Sequence, residues 1–392
     1  MISRRELEQL RAEWTLDIAV IEKDYLLGWL LAGIAAHPAL GRTWVFKGGT
    51  CLRKCYYETF RFSEDLDFTV MPGGPDDPDD LRQVFGQIAE WLREESGIEL
   101  TVDSAAFRRR QNKRGKPTTQ GRIAYHGPNP QHMLPKVKLD ITADEILADR
   151  PVLRPIGHPY GDAPLPEARV LCYSITELFA EKLRALAQRC RPRDLYDVVH
   201  MHRHPDLIGR QQTVAAALAR KCEHAGIDVP ALDVIRSSPF RQEIEAEWEN
   251  MLGHQLPQPL PPFADFWSAL DDVFRWLDGT LKVGTLPRAS LGDLDPTWQI
   301  PQAITSWRRG VPLELLRYAG ANRLKVDIDY RAENGRQGPR RVEPYSLRRT
   351  KDRNLVLFVV NDRRQLRSYR IDRIAGIKPT TESFTPTYQV EF

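Results

Sequence analysis

The sequence lacks long hydrophobic runs, which limits where the protein can reside. Its longest apolar stretch, from Tyr25 to Ala36, is about 12 residues, whereas a transmembrane helix needs about 20. The first residues, Met1 to Glu13, are polar and charged and contain no signal-peptide core. We therefore expect a cytoplasmic protein with no membrane association.

Cysteine is also scarce. The chain has five, an odd number, and no two of them have C-x-x-C spacing. This pattern indicates neither a disulfide framework nor a zinc site. Hydrophobic residues make up 42% of the chain and charged residues 28%, as in soluble globular proteins. A chain of 392 residues is long enough for two domains.

Acidic residues are depleted only in the C-terminal part of the chain. Residues 284–392 contain 20 Lys and Arg against 12 Asp and Glu, a net charge of +8. The whole chain carries +3, so residues 1–283 carry −5. A basic tail on a mildly acidic body indicates contact with a polyanion. We predict a first domain over residues 1–283, a linker over 284–301 and a second domain over 302–392.

The stretch VFKGGTCLRKCYYETFRFSEDLDFTV, residues 45–70, predicts a strand, a glycine turn, a helix and a second strand. The turn is Gly48-Gly49, and the helix is expected to begin at Thr50. Glycines between a strand and a helix N-terminus let the backbone approach a phosphate, and the free N–H groups favour an anion. The turn is therefore a candidate phosphate-binding site.

Two aspartates share one face of the second strand. The two-residue period of a strand places Asp65 and Asp67 on one face, and Leu66 and Phe68 on the other. Adjacent carboxylates repel each other unless a divalent cation lies between them, and Mg²⁺ binds one or two carboxylates together with substrate phosphates. The alternative is a surface Asp-x-Asp beside an ordinary turn. The combination with the glycine turn favours nucleotidyl transfer.

The segment KVKLDIT, residues 136–142, predicts a further strand that could carry a third carboxylate. Its alternation places Lys136, Lys138 and Asp140 on one face. If this strand lies beside the Asp65 strand, Asp140 completes a triad in which two carboxylates hold metal and the third orients or deprotonates the attacking hydroxyl. The alternative is a surface aspartate on an edge strand.

Apolar spacing predicts the other elements. We expect helices over residues 3–13, 18–36, 80–95, 211–226, 239–251, 263–281 and 303–319, strands over 98–107 and 121–126, and a loop over 150–166.

A helix after the capping box Ser174-x-x-Glu177 carries a lysine on its apolar stripe. Lys182 must either extend to solvent or meet an anion, for which a substrate triphosphate is the natural candidate. The next helix begins after Pro192 and contains Asp194 and Asp197 on one face, with Arg193 beside them. The alternative makes Asp194 a helix cap and Asp197 the partner of an arginine.

The segment RRRQNKRGK, residues 108–116, is strongly basic. Such runs are usually solvated loops. Beside a nucleotidyltransferase sheet, a basic loop could hold the backbone of an RNA acceptor. The candidate nucleic-acid-binding residues here are Arg108, Arg109, Arg110, Lys113 and Arg114.

Short strands with charged turns predict a small, bent β-barrel in the second domain. The strands are expected over residues 324–330, 340–347, 355–360 and 365–377. On the last one, Arg367, Tyr369, Ile371 and Arg373 share a face, with Arg370 and Asp372 opposite. An aromatic ring among arginines is typical of single-stranded nucleic-acid binding. The alternative is a dimerisation barrel whose arginines pair with the acidic body.

The motifs KGGTCLRK and RFSEDLDF, followed by EKLRAL and R-x-R-D-L-Y-D-V, resemble the AbiEii/AbiGii toxin family, a branch of the polymerase-beta-like nucleotidyltransferases. The similarity runs from about Leu16 to His202, and includes Glu22-Lys23-Asp24-Tyr25, whose charges could also be a solvated face. It implies an NTP site and marks Asp194 or Asp197 as an active-site acid. The implied nucleotide-binding residues are Lys47, Gly48, Gly49, Thr50, Ser63, Lys182 and Arg193.

The C-terminal sequence resembles a WYL domain, an Sm-like fold of bacterial regulators that sense nucleic acids or ligands. The similarity is good at Pro344 to Leu347 and at Tyr369 to Ile374. The name-giving tripeptide is replaced by Leu355-Val356-Leu357, which weakens the expectation of the usual ligand pocket.

We therefore predict an α+β fold: a polymerase-beta-like sheet with a helical cap, followed by a small barrel. The predicted function is that of a toxin in a toxin–antitoxin or phage-defence system. It would use Mg²⁺ or Mn²⁺, held by Asp65, Asp67 and Asp140, to transfer NMP from an NTP to RNA. The family resemblance points to the 3′ end of tRNA, and to a separately encoded antitoxin. The alternatives are an enzyme that nucleotidylates or phosphorylates a protein, and an inactive nucleic-acid-binding regulator.

Overall fold

The computed structural model describes residues 1–57, 61–111, 115–163, 168–237, 239–281, 284–299 and 312–392. Within these ranges the chain forms an eight-stranded mixed sheet with flanking helices, a group of helices, and a five-stranded antiparallel sheet. This architecture confirms the predicted α+β class.

The first half of the chain builds the large sheet. Its helices are α1 (Arg4–Trp14), α2 (Ile18–Ala36), α3 (Leu40–Thr43), α4 (Gly48–Cys51), which continues as a π-helical turn (Leu52–Tyr56), and α5 (Pro78–Ser96). Its strands are β1 (Trp44–Lys47), β2 (Asp65–Val70), β3 (Glu99–Thr101), β4 (Phe107–Gln111), β5 (Pro117–His126), β6 (Lys136–Thr142), β7 (Val152–Pro155) and β8 (Arg169–Cys172).

The strand order is β3-β5-β6-β2-β1-β8-β7, and β4 also pairs with β5. The central strand β2 runs parallel to β6 and antiparallel to β1. Two segments differ from the sequence prediction. The expected strand over residues 98–107 is broken into β3 and β4 by a turn at Asp103, whose carboxylate accepts the Ala105 N–H at 2.8 Å. The expected loop over residues 150–166 contains strand β7.

One face of the sheet is buried by an aromatic core. The rings of Trp44 and Phe68 are 4.9 Å apart, and Phe85 of α5 packs between Trp44 and Phe107. Phe68 and Phe85 have no exposed surface, and burial of such a ring contributes about 1.5–3 kcal/mol. The opposite face of β2, β5 and β6 is only partly buried and carries the polar residues predicted for it.

A buried ion-pair cluster anchors α2 to the turn that follows β1. Asp24 accepts hydrogen bonds from Arg53 Nε and Lys54 Nζ, both at 2.8 Å, and from the Tyr160 hydroxyl at 2.7 Å. Burial by itself would raise the pKa of Asp24, but the charges of Arg53 and Lys54 hold it below its usual value. The acidic residues of this signature are therefore not a solvated face: Asp24 is 1% exposed and Glu22 is fully buried.

The middle of the chain is helical. The helices are α6 (Ile175–Arg189), α7 (Pro192–His202), α8 (Gln211–Ala225), α9 (Leu232–Ser237), α10 (Phe240–Leu252) and α11 (Phe263–Leu277). The hydroxyl of Ser174 caps α6 by accepting the Glu177 N–H at 3.2 Å. The Glu177 carboxylate does not return the bond. It accepts the Ala148 N–H and pairs with the buried Lys221 of α8, both at 2.8 Å, which ties α6 to the sheet and to α8.

The C-terminal part forms a separate sheet. Its elements are α12 (Leu313–Ala321), β9 (Leu324–Arg331), β10 (Gln337–Arg349), β11 (Leu355–Asn361), β12 (Leu366–Arg370) and β13 (Ile374–Ser383). The strand order is β12-β11-β10-β9-β13. In the described ranges the edge strands β12 and β13 do not pair, so the sheet is open where we expected a closed barrel. The reason is a 3₁₀ turn, Ile371–Arg373, after which β13 pairs with β9.

The described part of the expected linker lies against this sheet. Ala289 is 2% exposed and packs in a small core with Tyr345 and Phe384. Arg349 of β10 donates to Asp295 at 2.7 and 3.0 Å. Of the helix expected over residues 303–319, positions 303–311 lie outside the described ranges. None of the described helices is both long and apolar enough to cross a membrane.

The Asp24 cluster generates a stability prediction. We expect Asp24→Ala to lower the free energy of unfolding by about 3–5 kcal/mol, because it leaves two buried cations without their counterion. Guanidinium denaturation measures the change. The control is Asp228→Ala, which removes an exposed carboxylate and should change stability by less than about 0.5 kcal/mol. A loss below about 1 kcal/mol for Asp24→Ala would show that the cluster does not anchor α2.

Candidate active site

The glycine turn after β1 lies directly against the acidic residues of β2. Gly48 adopts the left-handed backbone region with φ 81°, and a Cβ at this position would overlap the Asp67 carboxylate. A Cβ at Gly49 would lie 2.6 Å from Arg61 Nη2 and 3.2 Å from the Ser63 hydroxyl oxygen. A side chain at either position would displace Asp67 or Arg61, so the two glycines let the backbone of the turn approach β2.

Thr50 has a different role from the one expected. Its hydroxyl donates to the Asp65 carbonyl oxygen at 2.5 Å, and the residue is 1% exposed. The side chain therefore connects the turn to β2, and only the backbone N–H of Thr50 remains a candidate phosphate donor. The helix begins at Gly48, two residues earlier than predicted.

Strand pairing brings the three predicted carboxylates together. In the parallel pair of β2 and β6, Asp67 lies opposite Asp140 and Asp65 lies opposite Lys138. Residues opposite each other on paired strands point to the same face of the sheet. Lys138 Nζ is 3.7 Å from Asp65 Oδ2 and also contacts the Asp140 carboxylate. The sequence analysis did not identify Lys138 as part of this site, although its alternation placed it on this face.

Two carboxyl groups of this cluster, those of Asp65 and Asp67, are disfavoured in their charged form. Burial raises the pKa of Asp67 to about 6, with a further contribution from Asp140. Burial also raises the pKa of Asp65, and the charge of Lys138 opposes this rise. A carboxylate whose ionised form is disfavoured gains when a cation binds. Three carboxylates on one face are oxygen ligands of the type that Mg²⁺ and Mn²⁺ prefer.

The row of residues through Asp67 continues across the sheet in both directions. Lys47 lies opposite Asp67 on β1, Gln120 lies opposite Asp140 on β5, and Arg108 lies opposite Gln120 on β4. Gln120 Nε2 donates to Asp140 at 3.1 Å. Neighbouring strands are about 4.8 Å apart, so three steps place Arg108 roughly 14 Å from Asp67 on the same face.

A second row contains a basic residue that the sequence analysis did not select. Arg122 of β5 lies opposite Lys138, which lies opposite Asp65. Arg122 is exposed. Its position follows from the alternation of β5, but the pairing of β5 with β6 was not predicted from the sequence.

The basic segment over residues 108–116 is in part a strand and not a loop. Arg108, Arg109 and Arg110 lie on β4, which pairs with β5. The side chains of all three arginines are exposed. Arg109 points to the opposite face and donates to Asp76 and Thr119, both at 2.9 Å. Arg108 and Arg110 share the face of the carboxylates. Lys113 and Arg114 lie outside the described residues.

Asp197 is the centre of a buried network behind the turn. Arg61 donates to its two oxygens at 2.7 and 2.8 Å, and Lys182 Nζ lies 2.6 Å from Oδ2. Burial alone would raise the pKa of Asp197, but Arg61 and Lys182 lower it to about 2. Lys182 therefore meets a protein carboxylate where we expected a substrate triphosphate. Arg61 was missed, although it stands inside the quoted RFSEDLDF motif.

Asp194 is separated from Asp197 by its partner. Arg189 at the end of α6 donates to Asp194 at 2.7 and 2.8 Å. Asp194 thus pairs with an arginine and does not cap α7, whose first residue is Pro192. Arg193 is half-buried and makes no ion pair in the described ranges. Its charge acts on Glu64 and Asp65, so it faces the acidic site.

Lys47 is less available for a substrate than expected. It is 8% exposed, and its Nζ lies 4.0 Å from Glu145 Oε2. Its charge opposes the rise in the pKa of Asp67. Ser63 lies beside Gly49.

The predicted nucleic-acid face of the last strand is not present. Tyr369 is 8% exposed, packs on Tyr330 with 4.6 Å between ring centroids, and is covered by Arg340. The alternation ends at Arg370 because the 3₁₀ turn begins at the next residue. Arg370 pairs with Asp372 at 2.6 Å, and Arg373 with Glu333 at 2.8 Å. Arg367 is exposed and contacts Gln365. Because Tyr369 is buried against Tyr330 and Arg340, no base can stack on its ring without rearrangement.

Two solved structures match this chain with low similarity. MenT4, a nucleotidyltransferase toxin from Mycobacterium tuberculosis H37Rv, has 18% identity over 70% of this chain and 87% of its own, with a TM-score of 0.46. The proteasome accessory factor B/C of Arthrobacter aurescens has 12% identity over 96% of this chain and 72% of its own, with a TM-score of 0.19. No curated protein matches the sequence significantly.

Family profiles are more specific. Residues 312–379 match the WYL domain. Residues 29–274 match the family described as nucleotidyl transferase AbiEii toxin, type IV TA system. That match spans well over half of the chain and includes the glycine turn, the three carboxylates, and the Arg61–Asp197 network. The chain therefore belongs to the AbiEii family of nucleotidyltransferase toxins and carries a C-terminal WYL domain.

Proposed function

We propose that this nucleotidyltransferase toxin uses Mg²⁺ to transfer a nucleoside monophosphate from an NTP to an RNA acceptor, of which the 3′ end of tRNA is our candidate. The observation that carries the proposal is the shared face of β2, β6, β5 and β4. It places the three carboxylates and the basic residues Arg108 and Arg122 on one surface. Modified tRNA would block translation, and growth would then depend on a separately encoded antitoxin.

Asp65, Asp67 and Asp140 would hold the metal. Bound Mg²⁺ neutralises charge on the triphosphate and favours ionisation of the attacking hydroxyl. The backbone N–H groups of Gly48, Gly49 and Thr50 bind phosphate oxygens. They can approach because Gly48 and Gly49 have no side chain.

Arg193 adds a positive charge on the same side, and it is not committed to an ion pair among the described residues. Asp140 accepts from Gln120 and contacts Lys138, so it is already oriented for the acceptor side of the site. We assign it the third-carboxylate role, in which it orients or deprotonates the hydroxyl.

Lys182, Asp197 and Arg61 act as positioning residues. Asp197 is fully buried and satisfied by two cations. The Arg61 guanidinium meets Asp197 and reaches the backbone of Gly49, so the network keeps the turn against β2. Lys47 and Asp194 have similar structural roles, in which they pair with Glu145 and Arg189.

RNA is favoured over a protein acceptor by the charge on this face. Arg108, Arg110 and Arg122 are exposed, and they line the sheet beyond the carboxylates. Regularly placed guanidinium groups bind successive phosphates of a nucleic-acid backbone. A protein hydroxyl acceptor does not need such a track. Incubation with labelled NTPs, total RNA and cell lysate separates the two, because label in the protein fraction alone would contradict the RNA assignment.

The carboxylates generate the first functional prediction. Asp65→Asn with Asp67→Asn should reduce label transfer by at least a thousandfold, because the metal loses two of its ligands. When it is expressed without antitoxin, the variant should no longer arrest growth. We expect its stability to rise by roughly 1 kcal/mol, less than the pKa shift alone implies, because the repulsion is relieved in a partly hydrated site. Retained transfer would show that these residues do not hold the catalytic metal.

The raised pKa of Asp67 predicts a pH-dependent metal affinity. Protons compete with the metal as the pH falls through about 6. Mn²⁺ should therefore bind roughly fourfold more weakly at pH 5.5 than at pH 7.5, and its affinity should be nearly constant above pH 7. Electron paramagnetic resonance of free Mn²⁺ measures this without turnover. Equal affinities at the two pH values would exclude Asp67 as a ligand with this pKa.

The two faces of β4 supply a matched pair of variants for the acceptor. Arg108→Gln with Arg122→Gln should weaken RNA binding about tenfold and make it less dependent on salt, because phosphate contacts are lost. Arg109→Gln removes one positive charge from the opposite face and should have little effect, and Arg108→Gln alone is its match in charge. NTP binding should be unchanged in both. Filter binding at two salt concentrations measures the difference, and equal losses for both faces would contradict the proposed track.

A further inference from the structure

A cavity lies at the C-terminal end of α7. It has a volume of about 780 Å³ and opens between the end of α7 and the C-terminal domain. Arg203 and His204 line it from one side, and Arg323, Arg348 and Phe392 from the other. Five arginines and two histidines line the cavity, against two acidic residues, Asp295 and Glu391. Neither the proposed function nor the carboxylate site uses this cavity.

Two of these arginines lack a carboxylate partner in the described part of the chain. The Arg203 guanidinium lies 4.9 Å from the centroid of the Phe266 ring, and Arg323 Nη1 donates to the Gly320 carbonyl at 3.0 Å. The neighbouring arginines are different. Arg348 pairs with Glu391, and Arg317 is 3.2 Å from Glu314. Arg203 and Arg323 are thus the cations that an incoming anion can reach without breaking an ion pair.

The surrounding groups show that positive charge is not neutralised here. Burial lowers the pKa of Arg203 to about 10, although Asp265 opposes the change. Burial and the charge of Arg203 lower the pKa of Arg323 to about 9. Burial, His204 and these two arginines lower the pKa of His200 to about 3. Half-buried guanidinium groups whose burial is compensated by so little negative charge are stabilised by a bound anion.

The shape and the other lining residues indicate the class of anion. Two guanidinium groups suit the several oxygens of a phosphate, which accept paired N–H donors. Trp298, Leu294 and Phe392 add apolar and aromatic surface that a base can contact. A volume of about 780 Å³ is within the usual range for small-ligand sites and holds one or two nucleotides.

We propose that this cavity binds the phosphate group of a small nucleotide through Arg203 and Arg323. The site is separate from the proposed NTP site, since none of the residues that line it belongs to the glycine turn or carries one of the three carboxylates. A nucleotide bound there would contact both domains, and it would pack against the helix that carries Asp197.

The test uses the full chain in EDTA, which suppresses metal-dependent NTP binding at the carboxylates. The probes are the four nucleoside triphosphates, the four monophosphates and a 5′-phosphorylated adenine dinucleotide, titrated by calorimetry. We expect at least one probe to bind at one site per chain. Arg203→Gln with Arg323→Gln should weaken it at least tenfold.

Arg353→Gln is the matched control. Arg353 is an exposed arginine of the same domain with the same left-handed backbone, φ 63° against 60° for Arg323, and it lies outside the cavity. The affinity of the Arg353→Gln variant for the nucleotide probe should stay within twofold of that of the unsubstituted protein. If the glutamine pair unfolds, Arg203→Lys with Arg323→Lys keeps the charge but removes the paired donors, and should weaken binding by an intermediate factor.

Two results would overturn the proposal: no probe binds, or the double variant binds the probes as well as the unsubstituted protein. Label transfer to RNA is measured separately with Mg²⁺ present. A failure at the cavity therefore leaves the proposed transferase function untouched, and a failure of transfer leaves the cavity test valid.

Discussion

Repulsion between carboxylates on adjacent strands is the constraint on which the site depends. Parallel pairing of β2 with β6 places Asp67 beside Asp140, and the two-residue period adds Asp65 to the same face. Burial and, to a smaller extent, this repulsion disfavour ionisation, and both raise the pKa of Asp67. The fold tolerates it because the opposite face of β2 buries Leu66 and Phe68 completely. The apolar face supports a polar face that is unfavourable until a cation binds.

Buried ion pairs keep the glycine turn in place around this cluster. Asp24 holds Arg53 and Lys54 on one side, and Asp197 holds Arg61 and Lys182 on the other. All of these residues come from motifs that carry the family resemblance. Several charged residues of the signature therefore serve to position the backbone and do not meet the substrate. A buried pair is a weak source of stability, but losing one partner is costly, which makes such pairs effective for positioning.

Helix α7 runs from the buried ion pairs of Asp194 and Asp197 to the basic cavity at its C-terminal end. Its first turns carry Asp194 and Asp197, and His200 and Arg203 near its end face the C-terminal domain. The Tyr318 hydroxyl of α12 donates to the Pro259 carbonyl at 2.7 Å, so the WYL domain is also attached to the helical part beside α11. The basic charge predicted for the tail is largely consumed by local pairs such as Arg341 with Asp327 and Arg349 with Asp295. Among the described residues of the tail, Arg323 makes no ion pair and lines the cavity.

The sequence by itself determined those features that depend on short-range periodicity. Strand alternation placed Asp65 and Asp67 on one face and Asp140 on the corresponding face of its own strand, and the glycine turn was evident from its position between a strand and a helix. Tertiary structure decided every pairing between distant segments. Spacing could not show the register of β2 on β6, the partner of Lys182 or the burial of Tyr369. Periodicity is a local property of the backbone, whereas the partner of a buried charge is set by which distant segment packs against it.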